Sequence, residues 1–362
     1  MSINRRNVYD QIHYWLEFFY AALYHNARTR KAIKGKSFDK AFYQAYAETI
    51  RPYWRKYGVR VRKLWYKSFY ASVGSTDPRY IPNTLFYRFI IPHFNDPLFL
   101  RPLADKNLHS HLVPGIKRPE TIFKYMDGAY RQDDLRRIPE EEALGLLEKA
   151  GAFVLKPTRD TSEGNNVQIF DAGMDMAALK KALEPYQQGD YIVQKPVTQH
   201  PDFARLNPTS LNTLRVVTFV FRGEVHILST ILRVGSRHSK VDNVAKGGYQ
   251  CTVLPNGTLA KTAYHPTNSG ADPYVEQTED GLRFEGFVVP SFDKVCETAK
   301  KYAMCMPHLS LLGWDLAVDE NSDVVLIEYN CQPGQNQTTC GPTFGELTDE
   351  VLAEVFHRAN RD

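Results

Sequence analysis

The chain has 362 residues, 43% of them hydrophobic and 24% charged, which is the composition of a globular protein large enough to bury a sizeable core. Its five cysteines form no C-x-x-C pair, which argues against a disulfide scaffold or a sulfur-rich zinc site and favours a reducing compartment. No apolar run reaches the about 20 residues that span a bilayer, so the sequence predicts no transmembrane helix, no secretory signal and a cytoplasmic location.

Basic residues are concentrated at the start of the chain. Residues 1–70 hold 15 Lys and Arg against 4 Asp and Glu, whereas the remainder holds 30 against 37, so a segment of net charge +11 precedes one of −7. This asymmetry predicts a region that meets an anionic partner such as a glycan, a phosphorylated carrier or a membrane surface, and no nucleic acid is expected as a partner. The alternative is that the aromatic residues of this segment pack its helices together and the basic side chains are only solvated.

The first hundred residues are predicted to be mostly helical. In residues 8–24, an apolar stripe recurs at helical spacing and predicts a buried amphipathic helix; it consists of Val8, Ile12, Trp15, Phe19 and Ala22 and is widened by Leu16, Tyr20 and Leu23. Further helical patterns cover residues 38–50, up to a disturbance at Pro52, and residues 61–71. After residue 102, short β-rich runs alternate with helical patterns, which predicts an α+β body.

Residues 309–330 contain two apolar runs around a four-residue polar turn, which predicts a β-hairpin. If Asp319 faces Val324, Asp315 lies directly opposite Glu328, with Asn330 on the same face. The other face is then uniformly apolar and consists of Trp314, Leu316, Val318, Val325, Ile327 and Tyr329. Two opposed carboxylates repel each other, and an oxygen-only set of this kind suits Mg²⁺. The alternative is a carboxylate pair shared with an arginine or lysine.

A second pattern is a β-run that ends in Lys156 and is followed by a small polar loop containing Ser162 and Gly164. Such a loop can cover phosphates with backbone N–H groups while the lysine supplies a point charge. The alternative is an exposed lysine beside an ordinary turn. We interpret His109 and His111 as surface residues, because side chains two positions apart diverge on a helix.

The order of these pieces resembles the ATP-grasp superfamily, in particular the sugar-transfer-associated ATP-grasp proteins of bacterial polysaccharide loci. The similarity covers essentially the whole chain and is most specific in the E-x-N-x-x-P-G block that begins at Glu328. The matching segments are Asp105-Lys106-Asn107, Lys156-Pro157, residues 162–167, Gln194-Lys195-Pro196-Val197, residues 212–215, Arg233, Asp242-Asn243, Gly247-Gly248 and Asp315. The chain departs from the superfamily at Glu163, where a glycine-rich loop is usual, and at Gln194 and Lys195, where a glutamate is common.

The resemblance implies an α+β ATP-grasp fold, in which two lobes clasp ATP behind a helical N-terminal region. The implied division is a helical region at 1–100, a lobe with the lysines and phosphate loop at 101–193, and a lobe with the magnesium site at 194–362. ATP and Mg²⁺ are the implied cofactors. Nucleotide contacts are expected from Lys106, Lys156, Ser162, Gly164, Gln194, Lys195, Val197 and Asn243, catalytic contacts from Arg215, Arg233 and Lys156, and metal ligation from Asp315, Glu328 and Asn330.

The resemblance further implies an ATP-dependent carboxylate–amine ligase that forms an amide through an acylphosphate. Its substrates would be a small-molecule or glycan-linked carboxylate and an amine, in polysaccharide or secondary-metabolite biosynthesis. We expect the substrate to contact Gly334, Gln335, Asn336 and Gln337, because the chain leaving the magnesium block passes close to the γ-phosphate. Two alternatives are an ATP-grasp kinase that phosphorylates a sugar or alcohol, and a non-catalytic module that docks on a glycan or a membrane.

Overall fold

The computed structural model describes residues 8–159, 167–237, 247–265 and 273–358. The chain divides into two compact units, one comprising Met1–Asp96 with Gln335–Asp362 and the other comprising Pro97–Gly334. These units differ from the three-part division expected from the sequence in placing residues 335–362 with the N-terminal helices. Within the described ranges, no helix combines the length and the apolar character needed to cross a bilayer.

The α-helices follow one another with short 3₁₀ and π-helical turns between some of them. They are α1 (Val8–Ala32), α2 (Lys40–Ala45), α3 (Arg51–Arg55), α4 (Lys63–Val73), α5 (Asn83–Leu85), α6 (Ile91–Phe94), α7 (Pro97–Leu103), α8 (His109–Leu112), α9 (Glu140–Ala150), α10 (Met176–Leu183), α11 (Pro201–Leu206), α12 (Phe292–Ala303), α13 (Gln337–Cys340) and α14 (Thr348–Arg358). The π-helical turns are Tyr46–Ile50 and Phe86–Ile90, and the 3₁₀ turns are Lys106–Leu108, Glu184–Tyr186 and Gly345–Leu347.

The helical unit contains α1 to α6, α13 and α14. Asp39 caps α2, since its side chain accepts a hydrogen bond of 2.8 Å from the backbone N–H of Phe42. Trp54 and Tyr66 are fully buried, and the hydroxyl of Tyr66 donates to the carbonyl of Tyr80 at 2.8 Å, so the core of this unit combines aromatic burial with satisfied polar tips. The helical character predicted for the first hundred residues is confirmed.

The burial predicted for the first helix is wrong at Leu16, Phe19, Tyr20 and Leu23. All four are exposed on α1, with between 54% and 75% of each residue's surface accessible. The predicted helix is present, but these apolar residues face outward from its unit; the side chains of Val8, Ile12, Trp15 and Ala22 lie outside the described part of the structure.

The α+β unit contains two antiparallel sheets. Their strands are β1 (Thr121–Met126), β2 (Ala129–Arg131), β3 (Phe153–Pro157), β4 (Gln168–Phe170), β5 (Tyr191–Gln194), β6 (Thr213–Phe221), β7 (Glu224–Val234), β8 (Tyr249–Val253), β9 (Leu259–Tyr264), β10 (Tyr274–Val275), β11 (Leu311–Val318) and β12 (Val324–Asn330). The described strands form a five-stranded sheet of order β2-β1-β5-β3-β4 and a seven-stranded sheet of order β10-β9-β8-β7-β6-β11-β12.

Each sheet has its own hydrophobic core. Leu144 and Leu147 of α9 and Leu179 and Leu183 of α10 pack on the five-stranded sheet around Phe123, Phe153, Leu155 and Tyr191. Val295, Ala299 and Tyr302 of α12 pack on the seven-stranded sheet around Leu214, Leu232, Trp314 and Leu316. The predicted α+β fold is confirmed. Because each sheet is supported from behind by helices, its strands hold the polar side chains of the other face in fixed positions.

Candidate functional site

A cleft in the α+β unit is lined by residues from both sheets. The five-stranded sheet contributes side chains from β1, β3 and β5, and the seven-stranded sheet contributes two from β12. The lining residues are Lys106, His109, Ser110, Arg118, Thr121, Asp133, Lys156, Ile192, Gln194, Leu326 and Ile327. The structure therefore brings Lys106, Lys156 and Gln194, three of the expected nucleotide contacts, into one place.

The two lysines reach the cleft from different elements. Lys156 lies opposite Ile192 in the pairing of β3 with β5, and its ammonium donates a hydrogen bond of 3.2 Å to Oε1 of Gln194. Lys106 opens a 3₁₀ turn capped by Asp105, and its backbone N–H donates to the carbonyl of Thr158 at 3.3 Å. The ammonium of Lys106 lies 3.3 Å from Oε2 of Glu328. Both cations are thus held beside polar partners that an anionic ligand could replace.

The hairpin formed by β11 and β12 sets the acidic side of the site. Asp315 lies directly opposite Glu328, as predicted, and Gly313 lies opposite Asn330. The register shifts between Asp315 and Leu316, because Ile327 is an extra residue on β12, so Val318 rather than Asp319 pairs with Val324. The expected apolar face is therefore wrong for Val325 and Ile327. Leu326 and Val324 pack against the core with Trp314, and Ile327 lines the cleft.

Asp315 is buried and shared between two arginines from neighbouring strands. Its carboxylate pairs with Nε of Arg215 on β6 and accepts a hydrogen bond of 2.7 Å from Nη2 of the same side chain. Nη1 of Arg233 on β7 lies 3.3 Å away. Burial by itself raises the pKa of Asp315, but the two guanidinium groups outweigh it and hold the pKa below its ordinary value. The structure therefore shows, for Asp315, the alternative considered from the sequence, namely a carboxylate that is shared with arginine.

Gly313 allows Arg215 to take this position. A Cβ at residue 313 would lie 3.2 Å from Cδ of Arg215 and 3.1 Å from Cβ of Pro333, both tighter than ordinary van der Waals contact. A glycine inside a strand pattern indicates such a close approach, and this signal was available in the sequence.

Glu328 and Asn330 are the residues that best fit a metal ion. Among the residues that the structure describes, no group of three or more His, Cys, Asp or Glu side chains is arranged to hold a metal. Mg²⁺ binds through one or two carboxylates and completes its shell with water and phosphate oxygens, so it does not need such a group. The side chain of Glu328 is 31% accessible, whereas that of Asp315 is almost completely buried between its arginines. Asn330 lies two residues beyond Glu328, and its amide is 3.4 Å from Asp315.

The segment expected to bind adenine follows β5. The backbone N–H of Lys195 donates to the carbonyl of Glu120 at 2.9 Å, and the ammonium of Lys195 pairs with the carboxylate of Glu120. Val197 is half-buried. Nucleotide contacts by Lys195 and Val197 stay a prediction, as do those by Ser162, Gly164 and Asn243, which lie outside the described residues.

The residues expected to contact the acceptor substrate are divided between the two units. Gly334 ends the α+β unit, and Gln335, Asn336 and Gln337 belong to the helical unit. The buried amide of Gln337 accepts from the N–H of Ile81 at 2.7 Å and donates to its carbonyl at 2.8 Å. Gln335 donates to Ile81 and Asn83 and accepts from Thr343. These amides therefore support the fold of the helical unit, and a substrate contact by them stays a prediction.

His109 lines the cleft, and its interpretation as a surface residue is wrong. Its ring stacks on Tyr329 with centroids 4.0 Å apart, and its Nε2 is buried without a hydrogen-bond partner in the structure. Burial, reinforced by Lys106 and Arg118, lowers the pKa of His109 to about 3, so the ring is neutral. His109 follows Lys106 by three residues, which places the two side chains on one face of a helical turn. This spacing is the sequence signal that indicates a position of His109 beside Lys106.

Lys156 on one antiparallel sheet, Lys106 on a 3₁₀ turn and a carboxylate-bearing hairpin on the other sheet form the arrangement that the resemblance to ATP-grasp proteins implies. A family model described as sugar-transfer associated ATP-grasp matches residues 86–340. The chain therefore belongs to the sugar-transfer associated ATP-grasp family, and the resemblance drawn from its motifs is confirmed. A comparison with curated proteins finds no match.

Several solved structures are similar to the chain. One is purK, N5-carboxyaminoimidazole ribonucleotide synthetase, in its ADP complex, at 11% identity and a TM-score of 0.39, over 64% of this chain and 45% of that one. Another is D-alanyl-alanine synthetase A from Vibrio cholerae O1 biovar eltor, at 11% identity and a TM-score of 0.41, over 72% and 65%. A third is D-alanine–D-alanine ligase from Bacillus anthracis complexed with ATP, at 15% identity and a TM-score of 0.37, over 77% and 70%. The chain thus spans less than two thirds of the length of the first two of these proteins.

Proposed function

We propose that the protein is an ATP-dependent carboxylate–amine ligase that forms an amide through an acylphosphate. A carboxylate oxygen of one substrate would attack the γ-phosphorus of ATP, breaking the bond to the β-phosphate oxygen and releasing ADP. The amine of the second substrate would then attack the acyl carbon, and phosphate would leave while the amine loses a proton. Family membership supports the ATP-dependent part of this proposal.

The observation that carries the proposal is the pairing of cations with carboxylates in the candidate site. Lys106 faces Glu328 at 3.3 Å, and Arg215 and Arg233 both face Asp315. Phosphoryl transfer places little covalent demand on a protein and depends on positioning and on neutralisation of phosphate charge. Three cations held beside two carboxylates, together with Lys156 beside Gln194, meet that demand, because phosphate oxygens can take over part of each pairing.

Each side chain has a distinct part in this scheme. Lys156 and Lys106 would bind the phosphates of ATP, and Gln194 would keep the ammonium of Lys156 directed into the cleft through their contact of 3.2 Å. Arg215 is held in place by Asp315, so its guanidinium would be positioned to bind the phosphoryl group in transfer and the developing acylphosphate. Arg233, at the longer distance of 3.3 Å from Asp315, is held less tightly and would follow the transferred group.

Mg²⁺ fits Glu328 and Asn330, with Asp315 behind them. When bound, the metal supplies positive charge to the phosphate oxygens and so promotes departure of ADP. Glu328 would leave Lys106 to ligate the metal, and the ammonium of Lys106 would then be available to a phosphate oxygen.

The substrates we propose are a small-molecule or glycan-linked carboxylate and an amine, used in polysaccharide or secondary-metabolite biosynthesis. The description of the matching family as sugar-transfer associated supports this class. We place the reaction in the cytoplasm, where ATP is supplied and where all five cysteines, which are free thiols in the structure, stay reduced.

The test is a screen of purified protein with Mg²⁺, ATP and a panel of carboxylates and amines, read as ADP release and followed by mass spectrometry of the product. A carboxylate labelled with ¹⁸O should transfer one labelled oxygen to the released phosphate, because the acylphosphate oxygen leaves with phosphorus. A product heavier by one phosphoryl group, with no free phosphate, would instead identify a kinase.

Glu328→Gln should abolish Mg²⁺-dependent ATP binding and turnover, because a neutral amide loses the charge that attracts the metal. Glu320→Gln is the matched control, since Glu320 is exposed in the loop of the same hairpin. Unchanged affinity for Mg²⁺ and ATP in Glu328→Gln, measured by calorimetry, would contradict the assignment.

A further inference from the structure

The exposed face of α1 carries large apolar side chains in a regular arrangement. Leu16, Phe19, Tyr20, Leu23 and Tyr24 are exposed to 62%, 65%, 75%, 54% and 51%. Their spacing of i, i+3, i+4, i+7 and i+8 places all of them on one side of the helix. A continuous exposed stripe of this size on an otherwise folded unit indicates an interaction surface.

The same side of the helix becomes basic toward its end. Arg30 and Lys31 are exposed in the last turn of α1, and they lie at i+7 and i+8 from Leu23. Arg28 donates a hydrogen bond of 3.2 Å to the hydroxyl of Tyr24, so a third cation adjoins the stripe. Along the helix from its N-terminus, the outward face of α1 is therefore apolar and aromatic over residues 16–24 and cationic over residues 28–31.

Two contacts attach α1 to its unit, one from the side opposite the stripe and one at the edge of the stripe. The ring of His25 stacks on Tyr87 with centroids 5.1 Å apart and planes nearly parallel. Oδ1 of Asn26 accepts a hydrogen bond of 2.8 Å from Nε1 of Trp65. These contacts fix the rotation of α1 about its axis, so the apolar stripe faces away from the helical unit.

We propose that α1 docks the protein on an anionic lipid bilayer, with this stripe inserted at the level of the headgroups. Interfacial helices combine an apolar face containing aromatic residues with basic residues that meet lipid phosphates, and the tyrosine hydroxyls can stay hydrated while the rings are buried. The charge of the segment agrees, because residues 1–70 hold 15 basic against 4 acidic residues. This proposal does not rest on the proposed ligase activity.

Two other occupants fit the face less well. A second copy of the chain would bring two segments of net charge +11 together, which costs electrostatic energy. An anionic glycan satisfies the basic residues but offers no apolar phase to Leu16, Phe19 and Leu23. A bilayer that contains anionic lipid matches both the charge and the apolar stripe.

The test is co-sedimentation of the full chain with vesicles of phosphatidylcholine, with and without phosphatidylglycerol, at low and high salt. We expect binding to the anionic vesicles. Phe19→Ser combined with Leu23→Ser should weaken that binding at least about tenfold, because both side chains lose their apolar insertion. Val288→Ser combined with Met304→Ser is the matched control, since both residues are exposed elsewhere in the chain, and it should bind like the parent protein.

A second pair of variants separates charge from insertion. Arg30→Glu combined with Lys31→Glu should weaken vesicle binding most at low salt, because screening already reduces the attraction at high salt. Lys180→Glu combined with Lys181→Glu changes two basic residues in the last turn of another helix and should have no effect. If Arg30→Glu with Lys31→Glu abolishes vesicle binding while Phe19→Ser with Leu23→Ser binds fully, the proposed insertion of the stripe is overturned.

Phe19→Trp provides a measurement that does not depend on loss of function. The new tryptophan adds fluorescence to that of the four native tryptophans. If the stripe is inserted, vesicles with brominated acyl chains should quench this additional fluorescence. Lack of vesicle binding, lack of additional quenching, or binding to a soluble acidic polysaccharide instead of vesicles would overturn the proposal. A dimer in sedimentation velocity that Phe19→Ser with Leu23→Ser dissociates would assign the face to a second copy.

Discussion

Several charged side chains of the candidate site are held by opposite charges, and this determines what individual substitutions should do. Lys106 and Glu328 neutralise each other at the surface of the cleft, whereas Asp315 is enclosed by Arg215 and Arg233. The side chains of Lys106 and Glu328 are 15% and 31% accessible, so water can replace part of the contact that is lost when one partner is removed. Removing a partner of Asp315 leaves a buried charge without compensation and costs much more.

Lys156→Ala should lower the affinity for ATP by about tenfold to a hundredfold, because a charge-assisted contact to phosphate is lost. The melting temperature should hardly change, since the ammonium of Lys156 makes a hydrogen bond of 3.2 Å with a neutral amide. Calorimetry and thermal unfolding measure the two effects. Lys149→Ala, an exposed lysine of α9, is the control. A large drop in melting temperature would show that Lys156 is structural.

His109 should make stability depend on pH. Its pKa is about 3 in the folded protein and near 6.5 when unfolded, so below pH 6.5 the unfolded state binds a proton that the folded state does not. The stabilisation is complete above pH 6.5 and is lost as the pH falls, by about 2 kcal/mol between pH 7 and pH 5. Urea unfolding at both pH values measures it.

Two histidine variants isolate this contribution. His109→Gln should reduce the dependence of the unfolding free energy on pH, whereas His111→Gln, at an exposed position two residues on, should retain it. Equal pH dependence in both variants would mean that other groups cause the effect.

At the scale of elements, the hairpin β11–β12 positions the acidic residues, and its loop fixes the register. Oδ1 of Asp319 accepts hydrogen bonds from the N–H groups of Asn321 at 3.0 Å and Asp323 at 2.9 Å. Lys117 reaches the carboxylates of both Asp319 and Asp323. The buried carboxylate of Asp319 therefore organises the backbone of the loop, whereas the exposed carboxylate of Asp323 does not.

Asp319→Ala should destabilise the protein by about 2 kcal/mol, because two backbone donors and an ammonium lose their acceptor. Asp323→Ala should cost less than about 1 kcal/mol, since its contact with Lys117 is an exposed ion pair. Chemical unfolding of the two variants gives the comparison. Similar losses would show that Lys117, rather than the backbone contacts, holds the loop.

At the scale of the whole molecule, the helical unit is built from both ends of the chain. Gln337 satisfies both backbone groups of Ile81, and Asp349 accepts a hydrogen bond from the hydroxyl of Tyr57. Phe344, Val351 and Leu352 are buried in the same unit. The residues after the E-x-N-x-x-P-G block that begins at Glu328 therefore complete a core that the first hundred residues begin.

Truncation after Gly334 should unfold the helical unit, because it removes this part of the core. Hydrogen exchange read by mass spectrometry should become fast in residues 40–94 and stay slow in β6, β7 and β11. Truncation after Arg358 is the control and should leave exchange unchanged. Protection of residues 40–94 in the shorter chain would show that the N-terminal helices fold without the C-terminal segment.

The α+β class, the hairpin and the opposition of Asp315 and Glu328 could all be predicted from the amino-acid sequence, because alternation of apolar residues and spacing of motifs are local signals. The pairing of Asp315 with Arg215, which joins residues 100 positions apart, and the burial of His109 against Tyr329 emerge only from the folded chain. So does the outward direction of the stripe of α1. Periodicity reports that a helix has an apolar side, but whether another element covers that side depends on contacts that no local pattern records.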